Sequence, residues 1–226
     1  MSDTDSFIEE VTEEVRRDRM FTYMRRYGWI AVTFVVVLVG GAAVNEYFKA
    51  TALSDAQANG DSVVAALSKN DVSERIAALE ALQANPAEAQ TVVDLLLATE
   101  QLSTGDRAAS AATLEGISAS SVEQPAIYNQ IALFKSVLAR GAEASVEERR
   151  ALLAPLASPG APLALLAQEQ LALLDLEEGN ADAAMVKLQN INADASVTAG
   201  LRQRTSRLIV ALGGDLPELA APAVSQ

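Results

Sequence analysis

The chain has 226 residues, a net charge of −13, no cysteine, no histidine and only 4% aromatic side chains. Without cysteine there is no disulfide framework or thiol chemistry, and without histidine the commonest general base and metal ligand are missing. The acidic balance argues against nucleic acid, whose binding rests on neutralising phosphates with Lys and Arg, and the Ala- and Leu-rich composition favours helices over strands.

Residues 1–27 form a leader that alternates in character. Acids come first (Asp3, Asp5, Glu9, Glu10, Glu13, Glu14, Asp18), then Arg16, Arg17, Arg19, Arg25 and Arg26 gather toward its end. Ser6 and Glu9 have capping-box spacing, with Thr4 and Asp5 as competing caps. Phe7, Ile8, Val11 and Val15 make a narrow apolar stripe, continued at Phe21 and Met24. A helix lying at the membrane surface and running on into a span explains this pattern. A docking helix for a cytoplasmic partner is the sharper alternative.

Residues 28–48 read as a transmembrane anchor. The run WIAVTFVVVLVGGAAV carries no charge, and Thr33 is its only hydroxyl. About 20 helical residues cover roughly 30 Å, the thickness of a bilayer's hydrocarbon. Tyr27 and Trp29 on one side, and Tyr47 and Phe48 on the other, suit the headgroup layers. The arginines precede the span and only Lys49 closely follows it. The positive-inside rule therefore places the N-terminus in the cytoplasm and the rest across the membrane, which in a bacterium is the periplasm. A cleavable secretory signal is the competing reading, with Gly41-Ala42-Ala43 as its cleavage site, but a signal has a short basic n-region and this leader is long and acidic. A buried core helix rarely runs this far without a polar face. Gly40-Gly41 reads as a close-packing patch for another helix, without clean small-xxx-small spacing.

Residues 49–212 repeat, in a stretch long enough for one sizeable core. Three segments superimpose: from Lys69 to Leu82, from Thr104 to Ile117, and from Glu178 to Ile191. Asn70, Gly105 and Gly179 correspond, as do Leu79, Leu114 and Leu188, then Leu82, Ile117 and Ile191. The offset is 35 residues and then 74, about twice that, and a further unit with Leu153 and Leu156 fills the gap after a short insertion at 142–145. Each unit reads as helix, turn, helix. Gly105, Gly141, Gly179 and Asn70 suit left-handed helix C-caps. Asp71, Asp106 and Ser145 suit N-caps, and Pro86, Pro125 and Pro162 lie near the starts of first helices. Ala77, Ala78, Ser110, Ala111 and Ala184 allow close helix approach. A helix–turn–helix period near 34 is the tetratricopeptide signature; a plain bundle with accidental self-similarity is the bland alternative. The large aromatics of the standard repeat are mostly missing, with Tyr128 and Phe134 nearly alone, so a shallower Ala/Leu packing is expected. Residues 194–212 read as a capping helix, polar through Arg202, Arg204 and Arg207 and apolar through Leu201, Leu208, Ile209 and Leu212. Gly213-Gly214 end it, and residues 213–226 read as a disordered tail.

The expected fold is thus all-α: a single N-terminal transmembrane helix, then a TPR-like α-solenoid of about four helix pairs and a C-terminal capping helix. This organisation resembles the tetratricopeptide-like ancillary subunits of the SecYEG translocon. The residues carrying the likeness are SFIEEVTEEVRRDRMFTYMRRYGW, the span with Gly40-Gly41-Ala42, and the repeats at Gly105 and Gly179. The resemblance implies a single-pass inner-membrane protein with a periplasm-facing scaffold near the export channel, helping to pass emerging polypeptides to periplasmic chaperones.

No phosphate loop, metal-ligand cluster or nucleophile constellation is visible. Glu147-Glu148 reads as a solvated first turn, where acids complement the helix dipole. No catalytic residue, cofactor, metal, nucleic acid or small-molecule substrate is expected. Besides the bilayer, the expected partners are proteins: a SecYEG-type translocon, periplasmic chaperones or their clients. The binding groove would be built from the first helix of each repeat. Registering on Gly105 and Gly179 puts Leu95, Thr99, Leu102, Glu169, Leu173 and Leu176 there, though each position is equally compatible with the core. A structural or assembly subunit of another inner-membrane complex, respiratory or envelope, is the alternative function, and a membrane-anchored hydrolase is the weakest.

Overall fold

No proline precedes Pro86, and the glycines at 28, 40, 41 and 60 are the only weak helix formers of their kind before it. The first helix accordingly runs without a break. In the computed structural model, which describes residues 3–215, α1 spans Asp3–Leu67. Side chains before residue 24 lie outside the description, so the leader's apolar stripe and its Ser6–Glu9 cap do too, as does the tail beyond residue 215. Among the described residues all regular structure is helical, with no strand.

The chain divides into two units. In the first, up to Ala58, the apolar column is bare: Trp29, Phe34, Val37 and Phe48 are each about two-thirds exposed. The helical stretch Met24–Leu67 contains an 18-residue window of mean hydropathy 2.1, none of it buried against protein. It is long and apolar enough to cross a membrane. Thr51 donates its hydroxyl to the Tyr47 carbonyl one turn back, at 3.0 Å, as a polar side chain does on a helix with no competing partner.

The second unit begins at Asn59 and holds the last turns of α1 with α2 (Val72–Glu80), α3 (Ala87–Ser103), α4 (Arg107–Ala119), α5 (Ala126–Arg140), α6 (Val146–Leu153), α7 (Ala164–Glu177), α8 (Ala181–Ala193) and α9 (Ala199–Ala211). From α2 onward each helix packs on its successor in the chain, and α3 also meets α5. The expected N-caps are present. Asp71 accepts from the Ser73 and Glu74 amides at 2.8 and 3.2 Å, Asp106 from Ala109 at 3.0 Å, and Ser145 from Glu148 at 3.1 Å.

Helices α3, α7 and α9 end in one and the same way. Gly105, Gly179 and Gly213 have φ near +80°. After α3 the Asp106 amide reaches back to the Gln101 carbonyl and Gly105 to Leu102. After α7 Asn180 reaches Asp175 and Gly179 reaches Leu176, and after α9 Gly214 reaches Ile209 and Gly213 reaches Val210, all at 2.7–3.0 Å. This is the doubly hydrogen-bonded glycine cap. Asn70, expected to do the same, does not adopt positive φ. The end of α1 closes instead through the Ser68 amide on the Val64 carbonyl at 2.9 Å and the Lys69 amide on the Ala66 carbonyl at 3.4 Å. The Arg75 guanidinium holds the next stretch, donating to the Lys69 and Asn70 carbonyls just past the helix at 3.1 and 3.2 Å.

Gly141 differs again. Its φ of 50° and ψ of −130° lie in a region open essentially to glycine alone. A Cβ there would also sit 3.3 Å from Arg107 Nη1, which donates to the Ala139 carbonyl at 3.3 Å. Gly141→Ala is expected to destabilise the protein by about 2 kcal/mol, against about 1 kcal/mol for Gly179→Ala in the milder left-handed cap. Denaturant midpoints of the two variants would reverse this order only if the turn at Gly141 rearranged freely.

The corresponding leucines are buried. Leu79 and Leu114 are 1% exposed and Leu188 is 0%, each the centre of its own apolar cluster. Leu153 fills the same role between α5 and α7. Pro155 stops α6 after Leu153, and a short 3₁₀ turn, Pro155–Ala157, carries Leu156 into that cluster. Residues 194–198 are not helical as expected. Asp194 Oδ1 accepts from the Ser196 amide at 2.7 Å, making a side-chain turn, and α9 starts only after Thr198, whose hydroxyl accepts from the Leu201 amide. Buried Asn192 then ties α8 to α9, donating to Thr205 Oγ1 at 3.2 Å and Ser206 Oγ at 2.7 Å.

Candidate functional site

Helices α5, α7 and α9 each turn one face toward a shared groove of about 540 Å³. Phe134 and Leu138 come from α5, one turn apart. Leu166, Glu169, Gln170 and Leu173 come from α7, and Arg204, Arg207 and Leu208 from α9. The adjoining faces of α5 and α7 hold Val137, Ala167, Leu171 and Leu174, which close the core with Leu153 and Leu156. Phe134 and Leu166 reach both ways, lining the groove while also packing on the core clusters. Leu138 remains 41% exposed and Leu173 36%. Apolar side chains left open side by side in a trough mark a contact surface more often than scattered single ones do.

The groove wall between α7 and α9 is polar and fixed. Glu169 is 5% exposed. Its two carboxylate oxygens accept from Arg204 Nε and Nη2, both at 2.8 Å. A two-pronged pair of this kind satisfies the buried acid and sets the orientation of the guanidinium. The Glu169 hydrogen bond raises the Arg204 pKa above its ordinary value despite the opposing cost of burial. Arg207, three residues further along α9, is exposed and makes no ion pair among the described residues.

The six positions chosen by register separate into distinct environments. Leu173 and Glu169 line the groove, Glu169 as a paired wall residue. Leu176 packs on the cluster of Ala172, Ala184, Leu188 and Ile209. Leu95 packs on the cluster around Leu114. Leu102 is 39% exposed on α3 and lies outside the groove. Thr99 is exposed on α3, donates to the Leu95 carbonyl at 2.8 Å, and accepts from Lys135 Nζ on α5 at 3.1 Å. Register reasoning missed Phe134, Leu138, Arg207 and Leu208. In the sequence Phe134 stands out only as a rare aromatic, and the arginines only as the polar face of a capping helix.

A second cleft of about 700 Å³ lies between the turn at 159–162, the start of α7 and the turn at 194–198, lined by Gln168, Asn190 and Asp194 among small and apolar residues. Its single charged group, Asp194, is held below the usual carboxylate range by hydrogen bonds from the Ser196 hydroxyl and amide and is thus part of its own turn. Among the described residues no group of three His, Cys, Asp or Glu side chains is placed to hold a metal ion. Compared with protein-family models, curated proteins and solved structures, the chain finds no match.

Proposed function

We propose that this protein is a non-enzymatic, membrane-anchored scaffold that binds other protein segments in the α5–α7–α9 groove. The observation carrying this reading is the groove itself, an apolar trough on first-helix faces beside a fixed ionic wall. The reading takes the second unit as a TPR-like solenoid. The glycine caps at 105 and 179 each stand nine residues before a buried leucine, Leu114 or Leu188. The same offset joins Asn70 to Leu79. Repeats stacked in that way present their first helices on one continuous face. The span between the arginine-rich leader and Lys49 then puts the leader in the cytoplasm and the repeats in the periplasm of a bacterial inner membrane. By its resemblance to the SecYEG ancillary subunits, the scaffold would stand beside the export channel and pass emerging polypeptides to periplasmic chaperones.

The test is a photo-crosslinking residue placed in the full chain at Leu138 or Leu173, irradiated in intact cells, with the adducts identified by mass spectrometry. Val186, exposed on α8 and outside the groove, is the control position. Adducts to translocon subunits, chaperones or exported chains are expected from 138 and 173 and not from 186. Adducts to a respiratory or envelope assembly would favour the assembly-subunit reading. Equal yields from all three positions would remove the groove from the function.

A further inference from the structure

The groove is not electrically neutral. Glu169 is the one acid in its lining, and its charge is cancelled by Arg204 through two 2.8 Å hydrogen bonds. Among the described residues Arg207 is left as an uncompensated cation beside Leu173, Leu208, Phe134 and Leu138, in a chain whose net charge is −13. An incoming anion has little to gain from Arg204. Drawing that guanidinium away would strand the buried Glu169 carboxylate without a partner, a costly state. Arg207 carries no such obligation. It is exposed, and its cationic head can meet a carboxylate while its stem lies along apolar surface.

We propose that the groove takes an apolar protein segment bearing an acidic residue that pairs with Arg207. This rests on reading the groove as a peptide-binding surface and names the chemistry of its occupant. A peptide suits it better than an anionic lipid. Leu138 and Leu173 are more than a third exposed, so the groove is a trough and not an enclosed slot, and an acyl chain laid in it would stay wet along one side. An amphipathic helix covers such a trough with one face and keeps its other face in water. Aliphatic side chains one turn apart on the segment would meet Phe134 and Leu138, themselves one turn apart, and Leu173 opposite. The acid then sets register and direction, since an electrostatic match contributes more to specificity than to raw affinity.

The experiment uses the full chain in phosphatidylcholine nanodiscs and fluorescence anisotropy near physiological salt. One labelled helix-forming peptide has leucines four residues apart with flanking glutamates, and a second has lysines in place of the glutamates. The overall negative charge of the protein favours the lysine peptide non-specifically, so a preference for glutamate is a stringent result. Wild type is expected to bind the glutamate peptide about five- to ten-fold more tightly. Arg207→Gln should erase the preference and Arg207→Glu should invert it, with melting unchanged. Leu173→Asp should abolish binding of both peptides. Equal binding of both peptides, lost in Leu173→Asp, would overturn the acidic specificity and leave the peptide-binding groove standing. Binding of neither peptide, with no crosslinks from 138 and 173 in cells, would overturn both. Arg207-dependent binding of labelled oleate with no binding of either peptide would overturn the proposal in favour of an anionic amphiphile.

Discussion

Leu114→Ala is expected to cost close to 5 kcal/mol and Leu188→Ala closer to 3 kcal/mol, the upper and lower parts of the usual range for a buried leucine. The two side chains each stand nine residues after a left-handed glycine and are equally buried, at 1% and 0% exposure, so the loss of transferred surface is the same for both. What differs is the surroundings. Leu114 sits among Ala98, Ala111, Ala132 and Ala139, with Ile117 and Leu95. Alanine methyls are fixed to helix backbones and cannot swing into a hole, so the cavity persists and its full penalty is felt. Leu188 is ringed by Ala172, Ala184 and Ile209 but also touched by Leu176, Met185, Leu208 and Leu212. Met185 in particular has an unbranched, adaptable side chain that can fill part of the gap. Urea midpoints of the two variants measured side by side check this. A smaller loss at Leu114 than at Leu188 would show that the α3–α4–α5 layer relaxes and that its alanine packing is not rigid.

How far the sequence disclosed this architecture depends on the kind of interaction. Turn chemistry is local, so it was readable. Gly105 and Gly179 need positive φ, Asp71, Asp106 and Ser145 accept from the amides that follow them, and all five do so in the structure. The buried leucines followed because they stand at a constant distance from those turns. Where a distant side chain intervenes, local reading fails. Asn70 resembles a left-handed cap in sequence, but the Lys69 amide already takes the Ala66 carbonyl and Arg75 ties down the carbonyls of 69 and 70 that follow. The start of α9 was placed too early because Asp194 could begin a helix or close a turn, and the Ser196 hydrogen bonds decide for the turn.

The groove was legible only in outline. Register on the glycine turns identifies matching positions but not how each helix is rotated against its neighbours. Leu173 and Leu176 are three residues apart and fall on the edges of one helical face. The α8–α9 pair covers one edge, so Leu176 is packed and Leu173 is left open. Glu169 looked like a groove residue and lines it, but its burial depends on Arg204, 35 residues away. No local pattern announces a partner at that distance. The same holds for the ion pairs that cross between helices elsewhere.

Asp175→Asn is expected to destabilise the protein by about 1–3 kcal/mol at neutral pH, with the deficit shrinking in acid. Asp175 is 4% exposed on α7. Burial works against its charge, but hydrogen bonds from Lys187 at 2.5 Å and from Arg150 outweigh that and hold its carboxyl below the usual range. Arg150 Nη2 stands 3.0 Å from the other oxygen and also pairs with Glu178. The acid thus joins α6, α7 and α8 at one point. An amide in its place would lose one acceptor oxygen, turn an NH2 group toward a cation and leave Lys187 without its counter-charge, Arg150 keeping Glu178. Lys187 and Arg150 are each 34% exposed and can recover water, which keeps the cost below that of a fully buried pair. Because the folded pKa lies below the unfolded one, the unfolded chain binds the proton first as pH falls. The stabilisation is therefore complete above the unfolded carboxyl value, about 3.9, and is lost as pH drops through that value toward the lower folded one. Chemical denaturation of wild type and variant at pH 7, 5, 4 and 3 should show a constant gap down to about pH 4 and a closing gap below it. Glu177→Gln is the contrast. Arg149 holds the Glu177 carboxyl low by a hydrogen bond, but Glu177 is 46% exposed, and water screens what it contributes. If the Asp175→Asn gap stayed open at pH 3, or if Glu177→Gln matched it at pH 7, the three-helix junction would not be what anchors α6 and α8 to α7.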